Sequence, residues 1–293
     1  GSPDLAPSAE TIAALTESAA NPSHHAYQGY QGIPALREAF ASFYATHYGV
    51  TVNPASEILP LIGSKEGIMH IAMAYLEKGD VTLIPNPGYP TYSAACSLAG
   101  AKVESYELSA SNGWLPDLKA LEKRDLSKVK IMWVNYPHMP TGAQATVEFF
   151  TELRDFALRH SILLVNDNPY SFILNDRPLS MLSIPGMQEV AIELNSLSKS
   201  HNMAGWRIGA AFGKAEFLAP VLKFKSNMDS GMFLPLQQAA VKALSADSDW
   251  FANQNRIYRS RQKLVFELLD LINCVYDPAQ SGMFVWAKIP SEF

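Results

Sequence analysis

Short runs of consecutive apolar residues recur along the chain, each followed by a polar or glycine-rich turn and then by a helical pattern. The clearest runs are residues 81–84, 131–134, 162–165, 190–194 and 207–212. They are nearly continuous rather than alternating, the pattern of strands covered on both faces in a mostly parallel sheet. Helical stretches at 66–76, 147–160 and 215–223 fall among them. This alternation predicts an α/β fold, a mostly parallel sheet flanked by helices. No fixed-period repeat is present, so repeat architectures are excluded. Beyond Pro235 the pattern changes to a charged helical stretch running through Leu271, then a strand-like segment over 282–287, and the chain stops at Phe293. The expected organisation is an N-terminal segment (1–25), a large domain (26–235), and a linking helix with part of a smaller α+β domain (236–293) that looks truncated.

Polar residues cluster just after the apolar runs. Asn135 follows 131–134, Asn166 and Asp167 follow 162–165, and Asn195 to Lys199 follow 190–194. In open parallel sheets, ligands bind in the crevice beyond the carboxyl ends of the strands, so reactive groups are expected along one edge.

Composition narrows the function classes. Charged residues make up 17% of the 293 residues, below the roughly 25% usual for soluble domains, which favours extensive burial. The net charge of −5 and the lack of a basic stripe argue against nucleic acid as a partner. No apolar run approaches the roughly 18 residues needed to span a bilayer, which argues against a membrane partner. The N-terminus has neither the basic start nor the apolar centre of a secretory signal. Cys96 and Cys274 are too few and too distant for a CxxC motif, which suits a reducing compartment. A cytoplasmic protein is expected.

Several motif matches fail on inspection. Ser196-Leu-Ser-Lys199 has the S-x-x-K spacing of penicillin-binding proteins, but S-D-N and K-T-G partners are missing. Gly209-Ala-Ala-Phe-Gly213-Lys214 has too short a span between its glycines for a phosphate-binding Walker loop and no hydroxyl after its lysine, so it reads as a strand leaving the sheet. His24 and His25 have no partners at ligand spacing, and no metal site is expected.

One set of residues does carry chemistry. Lys199 follows a buried-looking strand, sits among Ser196, Ser198 and Ser200, and precedes Arg207 by eight residues. A lysine near a low-dielectric sheet edge and another cation has its ammonium form disfavoured, which frees an amine nucleophile. Hydroxyls with an arginine make an anion site. Asp167 at a strand end can pair with a protonated ring nitrogen, and Tyr170 can reach a ring oxygen. Gly63-Ser64-Lys65-Glu-Gly67 opens a helix whose N-terminus can hold a phosphate. Pyridoxal phosphate needs such a set. Singly, Lys199 reads as a loop lysine, Ser64 as an N-cap and Asp167 as a turn residue; the joint occurrence is what the ordinary readings fail to explain.

The segment Ser196-Leu-Ser-Lys199-Ser-His-Asn-Met-Ala-Gly-Trp-Arg207-Ile-Gly209 closely resembles the cofactor-lysine segment of the class I/II aminotransferases, fold-type I pyridoxal-phosphate enzymes. Tyr27-Gln-Gly-Tyr-Gln-Gly-Ile-Pro34, the Gly63–Gly67 loop, Pro87-Gly-Tyr89-Pro-Thr-Tyr92 and Asp167-Asn-Pro-Tyr170 resemble further family motifs in the family's order. The resemblance implies pyridoxal 5′-phosphate held as a Schiff base on Lys199, which also shuttles the substrate proton. It implies Asp167 on the pyridinium nitrogen, Tyr170 on the phenolic oxygen and Tyr89 stacked on the ring. Ser64, Lys65, Ser196, Ser198 and Arg207 would hold the phosphate, with Tyr27 donated across a homodimer interface. The implied activity is ping-pong exchange of an amino group between an amino acid and a 2-oxo acid, with a slight lean towards the branch that includes diaminopimelate aminotransferases. A pyridoxal-phosphate C–S β-lyase shares all these residues and is the alternative. A non-catalytic cofactor-binding regulator would need a DNA-binding module ahead of this domain. One departure stands out. The family's N-P-T-G appears here as His138-Met139-Pro140-Thr141-Gly142, so a side chain that cannot donate replaces an asparagine that bonds the phenolic oxygen. Tyr170 alone, or a rearranged His138, is expected to support that oxygen. The arginine that pairs with the substrate carboxylate in the family has no equivalent before Phe293.

Overall fold

A computed structural model describes residues 1–292. Its centre is a seven-stranded sheet made of β1 (Ile58–Leu61), β2 (Val81–Asn86), β3 (Lys102–Glu107), β4 (Val129–Val134), β5 (Leu163–Asp167), β6 (Ala191–Ser196) and β7 (Gly209–Phe212), in the order β1-β7-β6-β5-β4-β2-β3. The pairs β2–β3, β2–β4, β4–β5 and β5–β6 are parallel, while β7 runs antiparallel to both β6 and β1. The expected α/β fold with a mostly parallel sheet is therefore present. All five apolar runs are strands, although 207–212 lies inside the sheet rather than leaving it.

The helices are α1 (Ala9–Ala19), α2 (Pro34–Tyr48), α3 (Ser64–Tyr75), α4 (Pro90–Leu98), α5 (Leu118–Leu121), α6 (Val147–His160), α7 (Leu197–Ser200), α8 (Ala215–Lys225), α9 (Leu234–Leu244) and α10 (Ser248–Leu271). Two apolar clusters separate along the sheet. Leu163, Val165, Ile192 and Leu194 pack with α3, α4 and α8, whereas Leu164, Met132 and Val134 pack with α2, α6 and α9. Successive strand residues point to opposite faces, so β4, β5 and β6 feed both clusters at once, which is why their sequences are nearly continuously apolar.

The charged stretch beyond Pro235 is two helices, not one. Asp247 breaks it by accepting a hydrogen bond from the Trp250 N–H at 3.1 Å, an N-cap that starts α10 afresh. Of the strand-like 282–287 region only Ala287 pairs, as the first residue of the two-residue strand Ala287–Lys288, which runs antiparallel to Val275–Tyr276. No helix among the described residues is long and apolar enough to cross a membrane.

A buried acid fixes the register of β5 against β6. Glu193 has no exposure, and its carboxylate accepts hydrogen bonds from Tyr44 Oη (3.0 Å), Asn166 Nδ2 (2.9 Å), Ser180 Oγ (2.7 Å) and the Met181 N–H (2.8 Å). These donors come from α2, β5 and the 180–181 turn. Removing the acceptor leaves all four without a partner in a dry site. Glu193→Ala is expected to lower unfolding free energy by about 3–4 kcal/mol, read from urea denaturation, and Glu193→Gln by clearly less.

Candidate active site

The carboxyl ends of β4, β5 and β6 open onto a cavity of about 520 Å³. Nine of the ten residues singled out in the sequence line it: Ser64, Lys65, Tyr89, Asp167, Tyr170, Ser196, Ser198, Lys199 and Arg207. Tyr27 does not. It is 91% exposed on the surface.

Asp167 is the last residue of β5 and is almost fully buried. Its Oδ2 accepts a hydrogen bond from Tyr92 Oη at 3.0 Å, whereas its buried Oδ1 has no hydrogen-bond partner among the described residues. Burial pushes its pKa up to about 6, against the pull of the Tyr92 and Ser64 hydroxyls. Tyr92, on the first turn of α4, is itself immobilised by stacking on Trp133, with ring centroids 5.2 Å apart and planes 13° from parallel. Tyr92 closes the Pro87–Tyr92 motif, and nothing in its local sequence announces its bond to Asp167.

Lys199 sits on α7, a single turn begun by Ser196, whose Oγ accepts the Ser198 N–H at 3.2 Å. Burial, and then the charge of Arg207, hold its pKa below the usual lysine value. That is the arrangement the sequence suggested for an amine nucleophile. Its Nζ donates to the Gly1 carbonyl at 2.5 Å.

Arg207, Ser196, Ser198 and the start of α3 form the polar end of the cavity. Arg207 Nη1 donates to Ser198 Oγ at 3.3 Å and to the Ala204 carbonyl at 2.8 Å, which leaves other N–H groups of the guanidinium available. The backbone of Arg207 is left-handed at φ 58°, an uncommon conformation for a residue with a side chain. Two glycines allow this close packing. A Cβ on Gly63 would stand 2.3 Å from Arg207 Nη2, and one on Gly209 would stand 2.5 Å from the Asn195 carbonyl and 3.0 Å from the Ser64 nitrogen. Gly63 precedes α3 and offers no capping side chain, so the first N–H groups of that helix and its positive dipole end stay open to an anion. Lys65 Nζ stands 6.0 Å from the centroid of the Tyr89 ring.

Asn135 and Met139 also line the cavity. Asn135 Nδ2 donates to the Asp167 carbonyl at 2.5 Å, and its Oδ1 accepts the Met139 N–H at 2.8 Å, which ties the ends of β4 and β5 to the loop after β4. The sequence placed Asn135 after a strand without foreseeing this tie. His138 is already engaged. Its Nδ1 meets Thr141 Oγ1 at 2.8 Å and its Nε2 the Pro87 carbonyl at 3.1 Å, and burial lowers its pKa to about 4. Of the two residues proposed to compensate for Met139, only Tyr170 lines the cavity.

A mostly parallel sheet of this topology, with a buried acid, a lysine of lowered pKa and an arginine–serine cradle at its strand ends, is the arrangement of the fold-type I enzymes. The chain belongs to the family described as aminotransferase class I and II, whose model matches residues 1–292. It is similar to LL-diaminopimelate aminotransferase of Dehalococcoides mccartyi, 43% identical over 296 residues that cover 100% of this chain and 76% of that protein. It is also similar to the enzyme of the same name from Moorella thermoacetica, 39% identical over 292 residues, with 99% and 75% covered. Among solved structures, apo-BacF from Bacillus subtilis superposes with a TM-score of 0.96 at 38% identity, covering 100% of this chain and 75% of that one. A probable N-succinyldiaminopimelate aminotransferase from Thermus thermophilus gives 0.93 at 34% identity, covering 100% and 79%. The chain thus spans about three quarters of the length of these relatives. It is an aminotransferase, and the lyase and regulator alternatives are not favoured.

The raised pKa of Asp167 has a definite sign. Between pH 4 and 6 the folded protein without ligand holds a proton that the unfolded chain has released, so stability falls as pH rises through that window. The fall expected is about 3 kcal/mol. Asp167→Asn removes this slope, which urea unfolding at a series of pH values would read directly.

Proposed function

We propose that the cavity binds pyridoxal 5′-phosphate and that the protein, as a cytoplasmic homodimer, exchanges an amino group between an amino acid and a 2-oxo acid. The observation that carries the reading is the unpaired Oδ1 of Asp167, an acceptor buried in the wall of a cavity whose other polar groups suit a phosphate. That oxygen could accept a hydrogen bond from a protonated ring nitrogen, which would keep the carboxylate charged despite its burial. The first turn of α3, Ser64, Ser196, Ser198 and Arg207 fit the phosphate. Residues 26–235 would then form most of the cofactor domain, the boundary after Pro235 falling inside α9, and 236–292 would contribute the rest of α9, α10 and part of a smaller domain.

Bound there, the cofactor supplies an electron sink for the pair left on the substrate Cα when its proton departs. Asp167, oriented by Tyr92, would hold the ring nitrogen protonated. Tyr170 would donate to the phenolic oxygen, and Tyr89 would cover the ring face. Lys199 offers a neutral amine more readily than an ordinary lysine, so it can anchor the cofactor and carry the proton to and from the substrate Cα. Tyr27, exposed and away from its own cavity, suits a site completed by a second copy of the chain. The names of the relatives make LL-diaminopimelate the first amino donor to test, against a panel of 2-oxo acids.

After loading with pyridoxal phosphate and removal of the excess, a near-visible absorption band that titrates with pH and bleaches with an amino donor is expected, the titration being lost in Lys199→Ala. A titrating band that persists without Lys199, or no bound band at all, rejects the assignment. Pyruvate released from a β-substituted amino acid without an acceptor would instead support the lyase. Met139→Asn adds a second donor beside Tyr170, so the pH at which the band titrates is expected to fall by about one unit.

A further inference from the structure

The single turn that carries Lys199 is too short to satisfy its own carbonyl groups. Within it, the His201 and Met203 N–H groups both return to the Leu197 carbonyl. The carbonyls of Lys199 and Ser200 are met instead by side chains of α10, with Gln254 Nε2 donating to Lys199 at 3.1 Å and Trp250 Nε1 to Ser200 at 2.9 Å. Trp250 and Gln254 are four residues apart and so lie on one face of the helix.

The next residue grips the second catalytic segment. Asn255 Nδ2 donates to the Phe172 carbonyl at 2.9 Å, and its Oδ1 accepts the Leu174 N–H at 2.9 Å. That loop turns back on Tyr170, whose carbonyl accepts the Ile173 N–H at 2.9 Å. Gln254 and Asn255 are both buried, and Gln254 Oε1 has no partner. A half-satisfied amide in a dry position is costly, and here its nitrogen serves the lysine backbone.

We propose that Gln254, supported by Trp250 and Asn255, is a positioning residue for Lys199: the start of α10 holds the lysine turn and the loop behind Tyr170 at a fixed separation, so that the amine and the phenol meet the same bound molecule. This rests on the assignment of Lys199 as the reacting lysine. The same helix continues towards β8 (Val275–Tyr276) and β9 (Ala287–Lys288), so movement of that region would be transmitted to the lysine through these contacts.

Gln254→Leu keeps the volume and removes the donor. In the cofactor-loaded protein the near-visible band is expected to titrate at a pH shifted by at least about half a unit. The half-reaction with an amino donor is expected to slow roughly tenfold, with the donor's apparent affinity changed less than about twofold. In the cofactor-free protein, amide exchange at His201 and Met203 is expected to quicken roughly tenfold. Trp250→Phe, which keeps an aromatic side chain but loses the indole N–H together with part of the ring volume, is expected to act in the same direction and decides the matter if Gln254→Leu does not fold. Unchanged titration and half-reaction rate in a folded variant overturn the proposal. Loss of the lysine assignment is read separately, from a titrating band that survives Lys199→Ala, and in that case the exchange measurement alone still reports whether α10 holds the turn.

Discussion

Asp167 keeps a carboxyl group inside the protein where, among the described residues, the Tyr92 hydroxyl bonds one oxygen and the Ser64 hydroxyl adds a lesser pull, and an acid so placed is stable only if something shares its charge or its proton. Much of the surrounding construction serves that condition. Tyr92 is braced by Trp133, Asn135 is bonded to the Asp167 main-chain carbonyl, and the strand itself is held by neighbours on both sides. A cation at the free oxygen turns an unfavourable burial into a charge-assisted hydrogen bond. The cavity therefore has a built-in preference for a ligand that is cationic at one end, and the α3 terminus with Arg207 adds a preference for one that is anionic at the other.

Lys199 obeys the same logic with the opposite sign. Partial burial and the neighbouring guanidinium both disfavour its ammonium form. One arginine thus has two effects, offering an anion its N–H groups while lowering the proton affinity of the lysine. An anion bound at Arg207 would weaken the second effect by screening its charge, which links cofactor binding to the state of the amine.

Much of this was legible in the sequence because buried parallel strands write themselves as unbroken apolar runs and because polar residues collect at their ends. The elements that escaped lack those signals. The edge strand β3 reads Lys-Val-Glu-Ser-Tyr-Glu, with most of its residues in contact with solvent, so it makes no apolar run. The strand β1 is four residues long and contains Pro60, which only an edge position accommodates readily. The helix α4, rich in small residues, has little amphipathic pattern to betray it. The supporting residues escaped for another reason. Tyr92, Asn135, Gln254 and Glu193 act by contacts between groups distant in the chain, and no local spacing announces such partners.

The last two residues of β5 show how strongly one register choice shapes the site. Asn166 and Asp167 are adjacent and therefore face opposite sides of the sheet. Asn166 turns towards the α2 side, donating to Glu193 and accepting the Tyr136 N–H at 3.1 Å, while Asp167 turns towards Tyr92 on the α4 side. A slip of one residue would bring the carboxylate of Asp167 against that of Glu193 and leave an amide in the cavity wall. Two buried acids in contact would have to give up at least one charge. The hydrogen bonds around Glu193, far from any reacting atom, therefore exclude the alternative register and keep an acid, rather than an amide, at the end of the strand.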